Sequence, residues 1–363
     1  MTENNNKNKI IVGISGGVDS SVAAMLLKEK GYDVEALFMK NWEEDSEYCS
    51  AEQDYNDALQ VCNKLNIPLH SINFTKAYWN RVFKHFLDEH KNGRTPNPDI
   101  LCNTEIKFKE FLQYAIELGA DKIATGHYVQ NYVKNNQVFL QKGSDKTKDQ
   151  SYFLYGLNQK QISSAMFPIG NMKKKEVRDR AKKLGFVNYN KKDSVGICFI
   201  GERNIKEFLK EYIPENPGDI VNINGDVIGK HEGLMYYTIG QRKGLGIGGG
   251  HSTNEGAWYV IDKNLKNNEL IVGQGINNNR LFHKNLIASN VHWISGKPPH
   301  KNELHAKIRY RAEDVLCKII MQNKNNIHVQ FNKPCFGIAP GQSVVFYDKD
   351  ICLGGGIIES YSY

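Results

Sequence analysis

The chain has 363 residues, of which 47 are lysine or arginine and 40 are aspartate or glutamate, giving a formal net charge of +7. With 40% hydrophobic and 24% charged residues, the composition is that of a globular protein of two or three domains, and it excludes disordered, collagen-like and coiled-coil chains. A mean hydropathy of -0.52 argues against a membrane span, and the opening MTENNNKNK lacks the apolar core of a secretory signal. We therefore expect a cytoplasmic protein whose charge allows an acidic partner without identifying one.

Strand and helix signals alternate through the first half of the chain. An apolar, β-branched run over residues 9–15 predicts a strand, and the helix predicted over residues 20–30 stops at Gly31. Further strands are predicted near residues 34–39, 69–74 and 122–126, and further helices near residues 51–66, 77–90 and 105–118. Such alternation predicts a doubly wound parallel α/β sheet, whose ligands bind at the carboxyl ends of the strands.

From about residue 200, short strands alternate with turns rich in glycine and asparagine. The central strands are expected near residues 219–223, 258–261 and 270–272, and the last ones near residues 304–310, 315–321, 327–331, 343–347 and 356–360. We predict three domains, namely an α/β catalytic domain over residues 1–203, a small β-rich domain over residues 204–276 and a C-terminal β-barrel over residues 277–363.

The seven cysteines are an odd number and form no CxxC pair, which argues against a disulfide framework and a zinc ribbon. No metal-binding motif is predicted, and most of these thiols are interpreted as small core residues. Cys62 illustrates this interpretation, because it shares one face of a predicted helix with Ala58 and Leu65.

The most specific local motif is Ser15-Gly16-Gly17-Val18-Asp19-Ser20, where the first predicted strand meets the first helix. Adjacent glycines let the backbone approach an anion closely, the amides of a helix N-terminus point at it, and the two serine hydroxyls add donors. The motif lacks the Gly-Lys-Ser/Thr of a Walker A loop, so transfer of a γ-phosphoryl group is not implied. We predict a phosphate-binding loop, with an ordinary Gly-rich turn and helix cap as the alternative.

This hexapeptide resembles the pyrophosphate loop of the ATP pyrophosphatase superfamily, whose members cleave ATP between the α- and β-phosphates and activate a substrate oxygen as an adenylate. Other blocks closely resemble the tRNA-specific 2-thiouridylases over nearly the whole chain. These blocks are NPDILCN (residues 97–103) followed by EIKF, ATGHY (124–128), DQSYFL (149–154), GICFIGER (196–203), YTIGQRKGLGIGG (237–249) and APGQSVVFYD (339–348).

The resemblance implies that the protein uses ATP and Mg²⁺ to adenylate the O2 oxygen of the wobble uridine, position 34, in tRNAs for Lys, Glu and Gln. Sulfur from a persulfide then replaces this oxygen, with release of AMP and pyrophosphate. It implies that Cys198 carries the persulfide and that Cys102 resolves it by forming a Cys102–Cys198 disulfide. A cysteine desulfurase or a sulfur-relay protein is the implied sulfur donor.

The resemblance also assigns the binding sites. It places the nucleotide on Gly13, Ile14, Ser15, Gly16, Gly17, Val18, Asp19, Ser20, Met39 and Gly126. It places tRNA on Asn97, Pro98, Asp99, His127, Lys148, Asp149, Gln150, Arg309, Tyr310 and Gln342. The first three of these tRNA residues contact the target base, which has to be flipped out of the anticodon stack.

The chemistry of the residues agrees with this assignment. Turning a carbonyl into a thiocarbonyl needs an activated oxygen, a soft sulfur nucleophile and a second thiol, and two cysteines supply the last two. Cys102 lies in a predicted loop over residues 94–103, where partial exposure and a lowered thiol pKa are expected. Without the resemblance, Cys198 would be interpreted as a core thiol.

Several of the assigned residues have structural alternatives. Asp99, implied to be a general acid/base or Mg²⁺-linked group, is equally well placed to form an Asx turn or a helix cap. His127 can be a hydrogen-bonded histidine at the end of a strand. The predicted strand Lys307-Ile308-Arg309-Tyr310-Arg311 suits RNA, with cations and a stacking ring, but also a solvated strand face.

The block Asp193-Ser194-Val195-Gly196-Ile197-Cys198 departs from the family pattern, which has threonine where this chain has Val195. Two other functions remain open from the sequence. One is a superfamily enzyme that uses ammonia or an amino acid in place of sulfur, which would need neither Cys102 nor Cys198. The other is a non-enzymatic RNA-binding protein with a vestigial nucleotide site.

Overall fold

The computed structural model describes residues 8–43, 51–193, 200, 203–247, 256–321 and 326–362. Val195 and Cys198 lie outside the described residues. The first seven strands are β1 (Lys9–Ile14), β2 (Asp33–Lys40), β3 (Leu69–Asn73), β4 (Lys122–Ala124), β5 (Val129–Lys134), β6 (Gln137–Lys142) and β7 (Ala165–Met166). The helices are α1 (Val18–Glu29), α2 (Ala51–Leu65), α3 (residues 75–91), α4 (residues 98–117), α5 (Gln159–Ser163), α6 (Lys174–Lys183) and α7 (Ile205–Lys210).

Five strands form a parallel sheet in the order β3-β2-β1-β4-β7. The apolar run of β1 serves two cores, because Ile10 and Val12 belong to the cluster that includes α1, whereas Ile11 belongs to the cluster that includes Phe108 and Phe111 of α4. Helices therefore cover both faces of the sheet. The predicted doubly wound α/β domain is confirmed, and the carboxyl ends of β1, β2 and β4 lie side by side.

Helix α4 begins earlier than the sequence analysis predicted. The Asn97 side chain accepts a hydrogen bond from the Asp99 amide at 3.2 Å, and Pro98 occupies the first helical position. Cys102–Glu110 then forms a π-helical stretch inside α4. The predicted loop over residues 94–103 is therefore wrong from Pro98 onward, because the Asn-Pro pair starts a helix there.

The central region contains β8 (Gly218–Val221), β9 (Val227–His231), β10 (Trp258–Asn264) and β11 (Glu269–Gln274). They form a sheet in the order β10-β11-β8-β9, in which only the β11–β8 pair is parallel. All three predicted central strands are present, and the sequence analysis missed β9.

The C-terminal region is a β-barrel, as predicted; it is closed and has six strands, of which the sequence analysis missed the first. Its strands are β12 (Phe282–Trp293), β13 (Glu303–Lys307), β14 (Val315–Met321), β15 (Ile327–Phe336), β16 (Ser343–Asp348) and β17 (Ile351–Ser362). The order β12-β15-β14-β13-β16-β17 closes through a β12–β17 pairing. The predicted strand through Arg311 is wrong in its second half, because β13 ends at Lys307 and Arg311 has a φ of 63°.

The barrel is extended by strands from the first half of the chain. Hairpin β5–β6 pairs with β17 through Ile351–Gln141 and Cys352–Leu140, so one sheet runs from the barrel into the α/β domain. The sequence analysis missed this hairpin, although Asn135 and Asn136 at its turn both adopt the positive φ that asparagine tolerates. Among the described helices, none is long and apolar enough to cross a membrane.

Candidate active site

The loop between β1 and α1 presents backbone amides at the carboxyl edge of the parallel sheet. Ser15 N donates to Ser20 Oγ at 3.2 Å, and Ser20 Oγ donates to Gly17 O at 3.0 Å, so the loop is closed by its own side chain. The amides of residues 17–20 donate to no other residue in the described part of the chain. These N–H groups, at the positive end of α1, fit the polyphosphate of a nucleotide.

Gly16 is required by the loop, whereas Gly17 is not required by sterics. Gly16 has a φ of 71°, and a Cβ there would lie 2.2 Å from the Asp54 carbonyl oxygen. At Gly17, φ is -87° and a Cβ would come no nearer than 3.4 Å to Ser15 Oγ. The first glycine therefore lets α2 approach the loop, and the second leaves open space on the anion side.

The other residues assigned to the nucleotide surround this loop. A Cβ on Gly13 would lie 3.3 Å from Met39 Cε, and a Cβ on Gly126 would lie 2.6 Å from Ser20 N. The ends of β1, β2 and β4 thus bring together all ten residues that the resemblance assigned to ATP. Their roles stay predictions, and the arrangement fits a nucleotide with its phosphates at the start of α1.

Lys174, at the start of α6, is a functional candidate that the sequence analysis missed. Its Nζ lies 2.8 Å from Asp19 Oδ2 and 2.6 Å from Asp193 Oδ1, and its side chain is only 12% exposed. Tyr128 donates from its hydroxyl to Asp19 Oδ1 at 2.7 Å. Lys174 therefore places a positive charge beside the phosphate loop. The only local signal was a basic run that begins the helix after the last parallel strand.

Asp193 is held by three cations near the same loop. Lys148 and Lys174 bind its carboxylate, and Arg178 Nη2 lies 2.9 Å from its Oδ1. Burial acts to raise the pKa of Asp193, but the hydrogen bonds from Lys148 and Lys174 outweigh it and lower the pKa to about 2. Lys148, predicted to contact tRNA, thus forms an ion pair within the protein in this structure.

Asp99, predicted to act on the target base, lies in the first turn of α4. Burial raises the pKa of its carboxyl, and the positive charge of Lys107 opposes this shift. Asn103 Nδ2 donates to the Asp99 backbone oxygen at 2.9 Å. The carboxyl of Asp99 therefore binds a proton more readily than it would in water.

Cys102 is 1% exposed and belongs to the core that α4 forms with the parallel sheet. The expected partial exposure of this thiol is wrong, because Cys102 lies on a helix facing the core and not in a loop. Cys62 is buried as predicted, and burial raises the pKa of its thiol to about 11. Cys198, the other predicted catalytic cysteine, lies outside the described residues.

His127 follows Gly126 at the end of β4 and is buried. Its Nδ1 lies 2.8 Å from Thr125 Oγ1, and its ring packs against Phe108. Burial lowers the pKa of His127 well below its ordinary value, and the charge of Lys107 adds to this effect. The contact with Phe108 joins the end of β4 to α4, the helix whose first turn contains Asp99.

Asp149 and Gln150 are bound mainly within the protein. Asp149 Oδ1 accepts from the amides of Gly143 and Ser151, each at 3.1 Å, and its Oδ2 lies 3.5 Å from Lys307 Nζ in the barrel. Gln150 Oε1 accepts from the Tyr128 amide at 2.9 Å. Their predicted tRNA contacts stay predictions. In this structure both side chains accept hydrogen bonds from backbone amides of the same domain.

Of the three barrel residues predicted to contact tRNA, Tyr310 and Gln342 contact the α/β domain, whereas Arg309 packs on a ring of the barrel itself. The Tyr310 ring lies 4.4 Å from that of Phe153 between centroids, and the Arg309 guanidinium lies over the Phe336 ring. Gln342 Nε2 donates to the Thr95 backbone oxygen at 2.8 Å. The barrel therefore reaches the chain segment that leads into Asn97 and Asp99.

The parallel sheet and the amide-lined loop between β1 and α1 define a nucleotide-binding α/β domain of the pyrophosphate-loop class. Three family models match the chain in succession: the tRNA methyl transferase HUP domain over residues 8–202, the tRNA methyl transferase PRC-barrel domain over residues 206–274 and the aminomethyltransferase beta-barrel domain over residues 283–358. The chain belongs to the tRNA-specific 2-thiouridylase family, MnmA, which confirms the resemblance found in its motifs.

Two relatives carry this assignment. The tRNA-specific 2-thiouridylase MnmA of Actinobacillus succinogenes is 55% identical over 98% of this chain and 92% of its own length. That of Proteus mirabilis is 55% identical over 99% of both chains. Among solved structures, NMN synthetase from Francisella tularensis aligns with 57% of this chain and 74% of its own at 20% identity, with a TM-score of 0.36.

Proposed function

We propose that this protein is a tRNA-uridine 2-sulfurtransferase that uses ATP to convert uridine 34 of tRNAs for Lys, Glu and Gln into 2-thiouridine, releasing AMP and pyrophosphate. Family membership supports the reaction class. The observation that carries the proposal is the adjacency of two sites. Gly126 packs on Ser20 of the phosphate loop, and the ring of the next residue, His127, packs against Phe108 of α4, the helix whose first turn contains Asp99.

In the first step, the uracil O2 attacks the α-phosphorus of ATP, and the bond from that phosphorus to the bridging oxygen breaks. Pyrophosphate leaves with the electron pair. The unpaired amides at the start of α1 and the ammonium of Lys174 hold the polyphosphate and stabilise its growing charge. The raised pKa of Asp99 suits it to take the N3 proton of uracil as the oxygen becomes esterified.

Mg²⁺ is expected to enter with ATP, bound chiefly to phosphate oxygens. Within the described residues there is no group of three or more His, Cys, Asp or Glu side chains placed to hold a metal ion. The two oxygens of Asp19 already bind Lys174. We therefore assign no step to the metal ion beyond its delivery with the nucleotide.

In the second step, the terminal sulfur of a Cys198 persulfide attacks C2 of the adenylated uracil, and AMP leaves with the former O2 oxygen. The Cys102 thiolate attacks the inner sulfur of Cys198, and a Cys102–Cys198 disulfide forms. The electron pair of the broken S–S bond stays on the transferred sulfur, which becomes the thiocarbonyl as N3 regains the proton that Asp99 had taken. A thiol reductant supplies two electrons to reopen the disulfide, and a cysteine desulfurase or sulfur-relay protein reloads Cys198.

The test is mass spectrometry of tRNA nucleosides after incubation with ATP, Mg²⁺ and glutathione persulfide. We expect 2-thiouridine from the wild type and none from Cys102→Ser or Cys198→Ser, with ATP affinity unchanged in both variants. Cys62→Ser, a substitution at a buried cysteine remote in sequence from the proposed chemistry, is the matched control and should thiolate normally.

Normal thiolation by either Cys102→Ser or Cys198→Ser would refute the sulfur-transfer mechanism. Release of AMP that depends on ammonia and not on tRNA would instead identify a superfamily enzyme that uses a nitrogen nucleophile.

A further inference from the structure

Thr95 lies two residues before Asn97, and its amide, carbonyl and hydroxyl groups all form hydrogen bonds with distant residues. Its amide donates to the Pro340 oxygen at 2.9 Å, and its carbonyl accepts from Gln342 Nε2 at 2.8 Å, so the turn between β15 and β16 binds both sides of its peptide backbone. Its hydroxyl lies 3.2 Å from Thr238 Oγ1 in the central region. Thr95 therefore contacts both the barrel and the central region.

Arg94 ties the same segment to the last barrel strand. Its Nε donates to Glu89 Oε2 on α3 at 2.7 Å, and its Nη1 and Nη2 lie 2.5 and 3.3 Å from the two carboxylate oxygens of Glu359. Nη2 also lies 3.5 Å from the Ile358 oxygen. This bidentate pair uses the planar fork of the guanidinium, which a lysine ammonium cannot reproduce.

The backbone of the turn between β15 and β16 packs directly against the backbone at Thr95, and a glycine makes this approach possible. A Cβ on Gly341, whose φ is 92°, would lie 2.8 Å from Thr95 N. On the other side, Lys263 Nζ in β10 donates to the Gly93 oxygen at 2.8 Å. The seam segment, defined as residues 93–96, is thus fixed by contacts to β10, to Thr238 and to the barrel.

We propose that Gln342 and Arg94 are positioning residues, which set the seam segment so that Asn97 and Asp99 meet the target base in register with RNA held by the barrel. The proposal rests on the proposed function, because it takes residues 97–99, at the start of α4, as the residues that contact the target base. The Asn97 side chain caps α4 through the Asp99 amide, so a shift of Thr95 is passed to both residues. The resemblance gives Gln342 a direct tRNA contact, whereas here it acts through Thr95.

The test compares Gln342→Met with Gln330→Met. Both replace a glutamine of the barrel by a side chain of similar size without a hydrogen-bond donor, but Gln330 is exposed on β15. We expect Gln342→Met to lower kcat for thiolation at saturating tRNA by about tenfold, because Asn97 and Asp99 would be displaced from the target base. Its tRNA Kd and ATP Kd should stay within about twofold of wild type, and Gln330→Met should match wild type throughout.

A weaker tRNA Kd with unchanged kcat at saturating tRNA would overturn the proposal, because it would show that Gln342 serves only as an RNA contact. Unchanged kcat and unchanged Kd would overturn it as well. If Gln342→Met does not fold, Arg94→Lys tests the same idea through a different contact. It keeps the charge but loses the bidentate pair with Glu359, and it should lower kcat without weakening tRNA binding.

The wild-type control separates the two levels of inference. A wild type that forms no 2-thiouridine refutes the proposed function. An active wild type together with a fully active Gln342→Met, or with a fully active Arg94→Lys where Gln342→Met does not fold, refutes only the positioning role.

Discussion

The phosphate loop and the seam segment are both short connections leading into a helix, but they are built in opposite ways. The loop is closed by hydrogen bonds spanning three and five residues, within residues 15–20. The seam segment is fixed by bonds spanning 143, 247 and 265 residues, from Thr95 and Arg94 to the central region and the barrel. The conformation of the phosphate loop is therefore set by neighbouring residues, whereas that of the seam segment depends on contacts with the central region and the barrel.

From this difference we expect that ATP binding and the positioning of the target base can be impaired independently of each other. Damage to the loop should abolish ATP binding without disturbing the seam, and damage to the seam should slow thiolation while ATP still binds. The variants below test that separation.

The largest effect is expected from Gly16→Ala. The new Cβ would lie 2.2 Å from the Asp54 oxygen at a φ of 71°, so either the loop or α2 has to move. We expect ATP affinity to fall by at least about a hundredfold, measured by calorimetry, because the strain and the displaced amides both act on the same contact.

Gly17→Ala is the matched control, since its backbone is extended at a φ of -87° and its Cβ would meet nothing closer than 3.4 Å. It should keep its stability and lose less ATP affinity than Gly16→Ala. Equal losses in the two variants would contradict the distinction drawn between these glycines.

A smaller effect is expected from Lys174→Gln. Its ammonium lies 2.8 Å from the Asp19 carboxylate beside the phosphate loop, so its loss should weaken ATP binding by about tenfold while AMP binding changes little. Lys175→Gln, an exposed neighbour on the same helix, is the control. Equal weakening of AMP and ATP would show that Lys174 supports the fold of the site and not the polyphosphate.

The contrast between loop and seam also explains what the sequence could predict. The parallel sheet and the phosphate loop follow from local patterns, because strand period, glycine pair and helix start lie within a dozen residues. The start of α4 was also within reach, since Asn97 followed by Pro98 is a helix-start pattern that the sequence analysis interpreted as a loop.

Other features depend on contacts between distant parts of the chain. The burial of Cys102 depends on the π-helical stretch and on packing against distant parts of the chain. Lys174 and Asp19 form an ion pair although they are 155 residues apart in the sequence, and the sequence around either residue does not predict this pairing. The pairing of β6 with β17 likewise joins a strand from the first half of the chain to its last strand.

The smallest effect concerns acid stability at the boundary between α3 and the central region, next to the seam segment. His90 is buried there, with Nδ1 lying 2.9 Å from the Met235 oxygen, and its Nε2 finds no hydrogen-bond partner within the described part of the chain. Burial lowers the pKa of His90 to about 4, the Met235 hydrogen bond opposes this shift, and the charge of Lys263 adds to it. Because the folded pKa lies below the unfolded value of 6.5, the unfolded chain binds more protons between these two pH values, and stability falls as pH drops from 6.5 towards 4.

His90 should therefore contribute a loss on the order of 1 kcal/mol between pH 7 and pH 5, a loss that His90→Asn removes because asparagine keeps a donor for Met235 without titrating. Urea unfolding at both pH values measures it, with the exposed His300→Asn as control. ATP affinity should be the same in His90→Asn as in wild type, since the phosphate loop does not depend on this boundary. An acid loss as steep in His90→Asn as in wild type would mean that His90 takes up no proton on unfolding. A weakened ATP affinity would mean that loop and seam are not independent.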